Sequence, residues 1–169
     1  TKEQMALVAV KNHYNGSLDP YAHFKKPVTV EEVLKSPPVV YPLNLLDCCP
    51  QTDGAAALII CRADLARRYT DRPVYVAGFG VGCDYLYYTE KESLTEFAAT
   101  RRAAAQAYRM AGIGPEDIDV AEVHDCFTIT EILNYEDLGF CPKGEGGRFI
   151  ESGRPHLSHL GGTLPVNPS

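Results

Sequence analysis

DVAEVHDCFTITEILNYEDLG, residues 119–139, changes its hydrophobic period part-way along. The opening, with Val120, Ala121 and Val123, reads as a short buried strand. The close places Ile129, Ile132 and Leu133 on one face of a helix that stops at Gly139. His124-Asp125-Cys126-Phe127 occupies the junction between them. Strand-to-helix junctions are where α/β sheets open a crevice and where the N–H groups of the following helix point outward. A histidine and a cysteine two positions apart in that place are set to reach one substrate atom. Each alone has an ordinary structural use, since a free cysteine usually packs and a histidine commonly satisfies a local hydrogen bond. Together at a junction they make His124 and Cys126 the candidate catalytic pair.

Upstream, Leu94–Ala111 is the longest helical pattern, rich in alanine and closed by Gly112. Gly114-Pro115-Glu116 then turns the chain toward Ile118. VYVAGFGVG (74–82) reads as another strand. Its Gly78-x-Gly80-x-Gly82 has the wrong spacing for a dinucleotide fingerprint, and no helix opens immediately behind it. No acidic residue follows a second strand at the required place, so a nicotinamide or flavin site is excluded. Asp71-Arg72-Pro73 looks like a joint that divides the chain into 1–72 and 73–169. Before it, the apolar run Ala55–Cys61 suits a strand buried on both faces, followed by a short helix over Ala63–Tyr69. Thr29-Val30-Glu31-Glu32 is a capping box for a helix to Lys35, broken by Ser36-Pro37-Pro38, and LNLLD (43–47) suits a strand or its edge. Thr1–His13 reads as the last turns of a helix with Met5, Val8 and Leu7 inward, ended by a turn at Asn15-Gly16. Downstream of Gly139, Cys141–Gly147 is a glycine-rich, ligand-shaping loop, and LPVNPS (164–169) begins another strand. This order of elements favours a layered α/β architecture with a mostly parallel, covered sheet.

Composition narrows the function classes. Across 169 residues, 45% hydrophobic and 22% charged content is ordinary for a globular protein. The net charge of −6, with no basic cluster against it, argues against nucleic acid. No apolar run reaches the ~20 residues a membrane span needs, and the start lacks a signal-peptide layout, so export is not expected. The missing initiator methionine makes this an expected internal piece of a longer protein. The six cysteines contain no C-x-x-C, which excludes a zinc ribbon, and their settings suit reduced thiols in a cytoplasmic compartment. The adjacent Cys48 and Cys49 read as packing. His156, His159 and Cys141 are too weak a set for a metal site, and none is expected.

HDCF, followed by a helix and by YEDLGFCPKGEGG, resembles the thiolase superfamily, and more narrowly the sterol-carrier-protein-type thiolases with their archaeal and bacterial acetyl-CoA acetyltransferase relatives. The resemblance runs over the whole chain. VAVKNHYNGSLDPYAHF is similar to the end of that family's loop region and DCCPQTDGAAALII to the strand closing its N-terminal half. VYVAGFGVG is similar to the opening of its C-terminal half, and LPVNPS to the lead-in to a later glycine-rich stretch. Residues 1–72 are therefore expected to close the N-terminal half and 73–169 to begin the C-terminal one, as part of a layered thiolase-like α/β fold.

The resemblance implies an acyl group held as a thioester on a cysteine and attacked by a second, deprotonated acyl-CoA, or the reverse cleavage. His124 stands where many thiolases carry an asparagine that helps stabilise the thioester oxygen, a role an imidazole N–H can fill. Cys126 matches the cysteine assigned to acid/base work in this subfamily, thiols titrating near enough to neutrality to exchange protons. Asp125 suits a structural hydrogen bond and Phe127 packing. The family's nucleophilic cysteine and its Gly-His-Pro histidine have no counterpart in these residues, so this piece alone is expected to be inactive. Coenzyme A thioesters are implied as substrates, with no cofactor. A dimer or tetramer, and a small zinc-ribbon/OB-fold partner protein, are implied as assemblies. Two competing expectations are a non-catalytic acyl-CoA or lipid carrier on the thiolase fold, and a thiolase-like retro-aldolase, in which a tyrosine tends to replace the motif histidine.

Overall fold

Three helices meet around a main core and a fourth packs on the first in a smaller cluster, in the computed structural model, which describes all residues from Thr1 to Ser169. The first is α1 (Lys2–Leu18), whose start is fixed by a capping box: Thr1 Oγ1 accepts from the Gln4 N–H and Gln4 Oε1 accepts from the Thr1 amine. It runs past Asn15-Gly16, where the sequence suggests a turn. Asn15 is buried and donates its amide to the Asn167 carbonyl at 2.7 Å, so it does not cap its own helix. At Gly16 a Cβ would lie 2.9 Å from the Phe24 carbonyl, so the glycine serves close approach. α2 (Val30–Lys35) follows the expected Thr29 capping box, with Glu32 returning to the Thr29 N–H at 2.7 Å.

The other two core helices are α5 (Thr128–Asp137) and α6 (Gly146–Glu151), which pack against α1. Met5 and Val8 of α1 meet Ile132, Tyr135, Phe140, Phe149, Ile150, Leu164 and Val166 in the main core, while Ala6 and Ala9 face Val33 of α2. α5 is rotated relative to the expected face. Ile132 is inward, but Ile129 faces out, and the buried stripe is Thr128, Glu131, Ile132, Tyr135. That stripe keeps helical spacing (i, i+3, i+4, i+7) with polar residues in it.

Regular β-structure is sparse. β1 (Pro38–Val40) and β2 (Leu43–Asn44) pair antiparallel, and a 3-10 turn over Leu45–Asp47 replaces the rest of the expected LNLLD strand. The strand expected over Val120–Val123 is reduced to a parallel bridge between Ala121 and Val166. The run Ala55–Cys61 is not buried: Ile59 is 99% exposed, with Leu58 and Ile60 also open. A strand covered on both faces needs flanking ladders and two covering layers, and no element of this chain lies against it. α3 (Ala63–Ala66) is the short helix that follows.

α4 (Ala98–Ala111) begins four residues later than the sequence suggests and is shorter than α1; its end at Gly112, φ 71°, is the expected left-handed cap. The glycines of 78–82 explain themselves here. A Cβ on Gly78, Gly80 or Gly82 would lie 2.4, 1.9 or 2.1 Å from the carbonyls of Ala107, Ala103 and Ala99 respectively. Two residues of the segment match four of the helix, and four helical residues advance ~6.0 Å. The segment therefore lies extended and antiparallel along the alanine stripe of α4. Its other side, with Phe79 and Val81, is open.

Gly80→Ala is expected to destabilise the fold by roughly 1–3 kcal/mol, because the new methyl meets backbone that cannot swing aside. Gly54→Ala, with nothing within 4 Å of its Cβ, is expected to change stability by less than ~0.5 kcal/mol. Urea unfolding midpoints of the two variants check the contact, and equal midpoints would refute it.

Candidate functional site

Beneath the HDCF segment lies a buried ion pair. Lys11 Nζ stands 2.9 Å from Glu131 Oε1, and both side chains are wholly removed from solvent. Every capacity of the pair is used. The ammonium also donates to the Val166 carbonyl and to Asn12 Oδ1. The carboxylate accepts further from the Tyr135 hydroxyl, from Asn12 Nδ2 at 2.6 Å and from Asn167 Nδ2 at 2.9 Å. Burial, and then the Glu131 charge, push the Tyr135 phenol well above its ordinary value, so it stays a donor.

Two asparagines carry this arrangement outward. The second N–H of Asn12 Nδ2 reaches Asp125 Oδ2 at 2.7 Å. Asn167, in the left-handed region at φ 52°, accepts at Oδ1 from the Val123 N–H at 2.7 Å and gives its own N–H to the Ala121 carbonyl at 2.8 Å. On the far side Asn134 Nδ2 donates to the His124 carbonyl at 2.9 Å. Thr128 Oγ1, at the first position of α5, donates to Asp47 Oδ1 at 3.0 Å. The backbone from Ala121 to Thr128 is thus pinned from α1, from α5, and from residues 165–167.

The side chains of the motif part ways. The His124 imidazole is exposed and makes no hydrogen bond within the chain. Cys126 is half-buried, its Sγ 3.5 Å from Thr130 Oγ1 and its carbonyl accepting from the Cys49 N–H at 3.0 Å. Asp125 turns inward to Asn12, the structural hydrogen bond that the sequence suggests. Its carboxyl is pushed up, first by burial and then by Glu131, against the opposing pull of Lys11, Asn12 and His124. Asp125 and Val123, not His124 and Cys126, face a cleft of about 660 Å³ that also meets Asn12, His13, Phe24 and Cys49. The glycine-rich loop beyond α5 is ordered by charge: Glu136 accepts the Gly146 N–H at 2.9 Å and pairs with Lys143 at 3.0 Å. Cys141 is tucked beside it, its thiol raised to about 12, chiefly by burial. His159 contacts the Tyr14 hydroxyl at 3.3 Å.

Residues 80–169, which contain the whole HDCF segment and its helix, match the family described as thiolase C-terminal domain-like. The chain belongs to the thiolase family. It is 50% identical over 169 residues to an acetyl-CoA acetyltransferase of Methanothermobacter thermautotrophicus, covering 100% of this chain and 43% of that protein. It is 36% identical over 172 residues to a sterol carrier protein 2 of Oryctolagus cuniculus, covering 99% of this chain and 31% of that one. A solved Ltp2-ChsH2(DUF35) aldolase superposes with a TM-score of 0.91 at 32% identity, over 99% of this chain and 44% of its own. The chain therefore spans less than half the length of these thiolase relatives. The layered thiolase-like α/β architecture expected from the sequence is present as a partial copy, its helices in place and most of its strands without ladders.

Lys11, Asn12, Glu131, Tyr135 and Asn167 are absent from the sequence-level site. Their signal was a lysine inside the apolar run MALVAVK and a glutamate in step with Ile132 and Tyr135 along α5.

Lys11→Met leaves the Glu131 carboxylate buried without its counter-charge, and is expected to cost about 3–5 kcal/mol. The double variant Lys11→Met/Glu131→Gln is expected to recover a large part of that loss in thermal unfolding, and an additive double variant would refute the coupling. Asp125 supplies a pH signature. Its native carboxyl holds a proton more tightly than in the unfolded chain, so folding stability falls as pH rises from ~3.9 through the raised native value. Unfolding midpoints of Asp125→Asn across that range are expected to lose this fall, and an unchanged slope would place it elsewhere.

Proposed function

We propose that this chain supplies one side of a thiolase-type catalytic site that works on acyl-CoA thioesters, by Claisen condensation of acetyl-CoA or by thiolytic cleavage of 3-oxoacyl-CoA. The observation that carries the reading is the HDCF backbone, pinned by a buried polar lattice at the mouth of α5, in a thiolase-family chain similar along its whole length to an acetyl-CoA acetyltransferase. In condensation the α-carbon of the second acyl-CoA loses a proton, attacks the enzyme-bound thioester carbonyl, and the carbon–sulfur bond to the enzyme breaks as the carbon–carbon bond forms. His124 is the donor to the thioester oxygen on which enolate charge develops. Cys126 takes or returns the α-proton as thiolate and thiol. Coenzyme A enters as substrate, and no further cofactor is needed for these steps. The cysteine that carries the acyl group lies outside these residues, so this chain by itself is inactive in this reading.

The reading extends to assembly and place. The boundary between 1–72 and 73–169, supported by a family match that begins at residue 80, separates the end of one thiolase half from the start of the next. The open apolar faces of 58–60 and 74–81 support association into a homo-oligomer. The coupling of Ltp2 with ChsH2(DUF35) in the name of the structural relative supports a partner protein. Six free thiols support a reducing, cytoplasmic setting; no helix is long and apolar enough to cross a membrane.

A second reading, retro-aldol cleavage of a CoA ester, is favoured by the aldolase relative. Histidine at position 124 favours thiolysis. Carrier activity without turnover, suggested by the sterol carrier protein 2 relative, stands third.

Thiolysis of acetoacetyl-CoA by the full-length protein tests the assignment. His124→Ala and Cys126→Ala are each expected to lower the rate by about two orders of magnitude or more. Unchanged rates in both variants would make HDCF a packing motif. Cleavage of a hydroxyacyl-CoA without free coenzyme A would favour the aldolase, and acyl-CoA binding without turnover the carrier.

A further inference from the structure

The backbone that presents Cys126 places a second cysteine directly across from it. Cys48 stands opposite Phe127 in an antiparallel bridge, so the next pair in register is Cys49 opposite Cys126, and the Cys49 N–H donates to the Cys126 carbonyl at 3.0 Å. Cys49 and Cys126 share one of the two hydrogen bonds of a hydrogen-bonded antiparallel pair; directly opposed residues of antiparallel segments have Cα atoms ~4.5–5.5 Å apart and side chains on the same face. Disulfides span Cα separations of ~4.4–6.8 Å. We propose that Cys49 and Cys126 are a disulfide-forming modification site, oxidised reversibly by low-molecular-weight disulfides.

The neighbouring thiols do not compete. Cys48 belongs to the other face with Phe127, and its Sγ donates to the Asn44 carbonyl at 3.4 Å. Burial, and then the charge of Asp47 and Cys49, push the Cys48 thiol up and keep it a poor nucleophile. Cys141 is half-buried and its thiol is pushed up to about 12, chiefly by burial. Cys49 is exposed and Cys126 half-buried, which sets the order of events. The Cys49 thiolate attacks one sulfur of glutathione disulfide and releases glutathione as its thiolate. The Cys126 thiolate then attacks the Cys49 sulfur of the mixed disulfide and expels the second glutathione. Two electrons pass from the two cysteine thiols to glutathione disulfide, and their two protons end on the two glutathione thiols. Dithiothreitol reverses both steps. The contact between Cys126 Sγ and Thr130 Oγ1 at 3.5 Å is a weak one to give up.

The pairing rests on backbone register alone. Its consequence rests on the proposed role of Cys126: as half of a disulfide, that sulfur neither gives nor takes a proton. The test is disulfide mapping of the full-length protein after incubation with oxidised glutathione, with free thiols alkylated before digestion and no reduction. A peptide pair joined through Cys49 and Cys126, two hydrogens lighter than its parts and released by dithiothreitol, is the expected result. Cys48→Ser keeps the link, and Cys49→Ser leaves Cys126 open to alkylation after the same treatment. A Cys48–Cys49 link, a Cys48–Cys126 link, glutathione retained on Cys49 with Cys126 alkylated, or no oxidation overturns the proposal. The catalytic reading fails separately: linked protein that thiolyses acetoacetyl-CoA at the untreated rate leaves the pair standing and removes Cys126 from the chemistry.

Discussion

A lysine and a glutamate with no solvent exposure are the constraint around which this chain is built. Taking both charges out of water costs several kcal/mol per ion, and the loss is offset only when every proton and lone pair finds a partner. Here they do. Tyr135, Asn12, Asn167 and the Val166 carbonyl complete the set, and together with the ion pair they join three stretches of chain: α1, α5 and residues 166–167. An apolar contact tolerates sliding, whereas this arrangement has one geometry. It therefore sets the register of α1 against α5 and of both against residues 164–167.

That constraint also unites the sequence. The Asp71-Arg72-Pro73 joint reads as a division, yet Lys11 and Asn12 lie before it and Glu131, Asp125 and Asn167 after it. The Asp125 side chain is held by Asn12, far away in sequence, while the His124 and Cys126 carbonyls accept from Asn134 and Cys49. A site assembled in this way is rigid beneath and open above. Asp125, the residue of the motif with the most obviously chemical side chain, is spent on Asn12, and its inward turn leaves His124 and Cys126 to the outer side. In the proposed reaction, groups on a firmly held backbone would lose little orientation freedom when substrate arrives.

The parts legible in the sequence were those decided locally. Capping at Thr29, termination at Gly112 and the helix after HDCF each depend on residues within one turn of one another, and each is present. Strands were the opposite case. Ala55–Cys61 and 74–82 have the composition of buried strands, but a strand is buried only by what lies beside and above it, and composition is silent on that. The face of α5 was misread for a related reason. Ile129 and Leu133 outweigh Glu131 and Thr128 in any hydrophobic pattern, while the structure buries Glu131 because α1 brings it a lysine and an asparagine, and Thr128 because Asp47 accepts its hydroxyl. Asn15-Gly16 has turn chemistry that the helix overrides, since Asn15 gains a better partner in Asn167. At the site, HDCF was legible as the junction that leads into α5, and the lattice beneath it was not.

The glycines at 78, 80 and 82 show how one pattern serves different physics. A nucleotide fingerprint uses glycines so that backbone can approach phosphate; here the same absence of Cβ lets an extended segment lie directly on the carbonyls of Ala99, Ala103 and Ala107. Contact that close leaves the segment's other side, with Phe79 and Val81, facing away from α4. The exposed apolar side is thus the geometric counterpart of the glycine side. A segment pressed so flat against one helix is shaped to be the middle of a layered structure, with a second layer expected on the face that α4 does not cover.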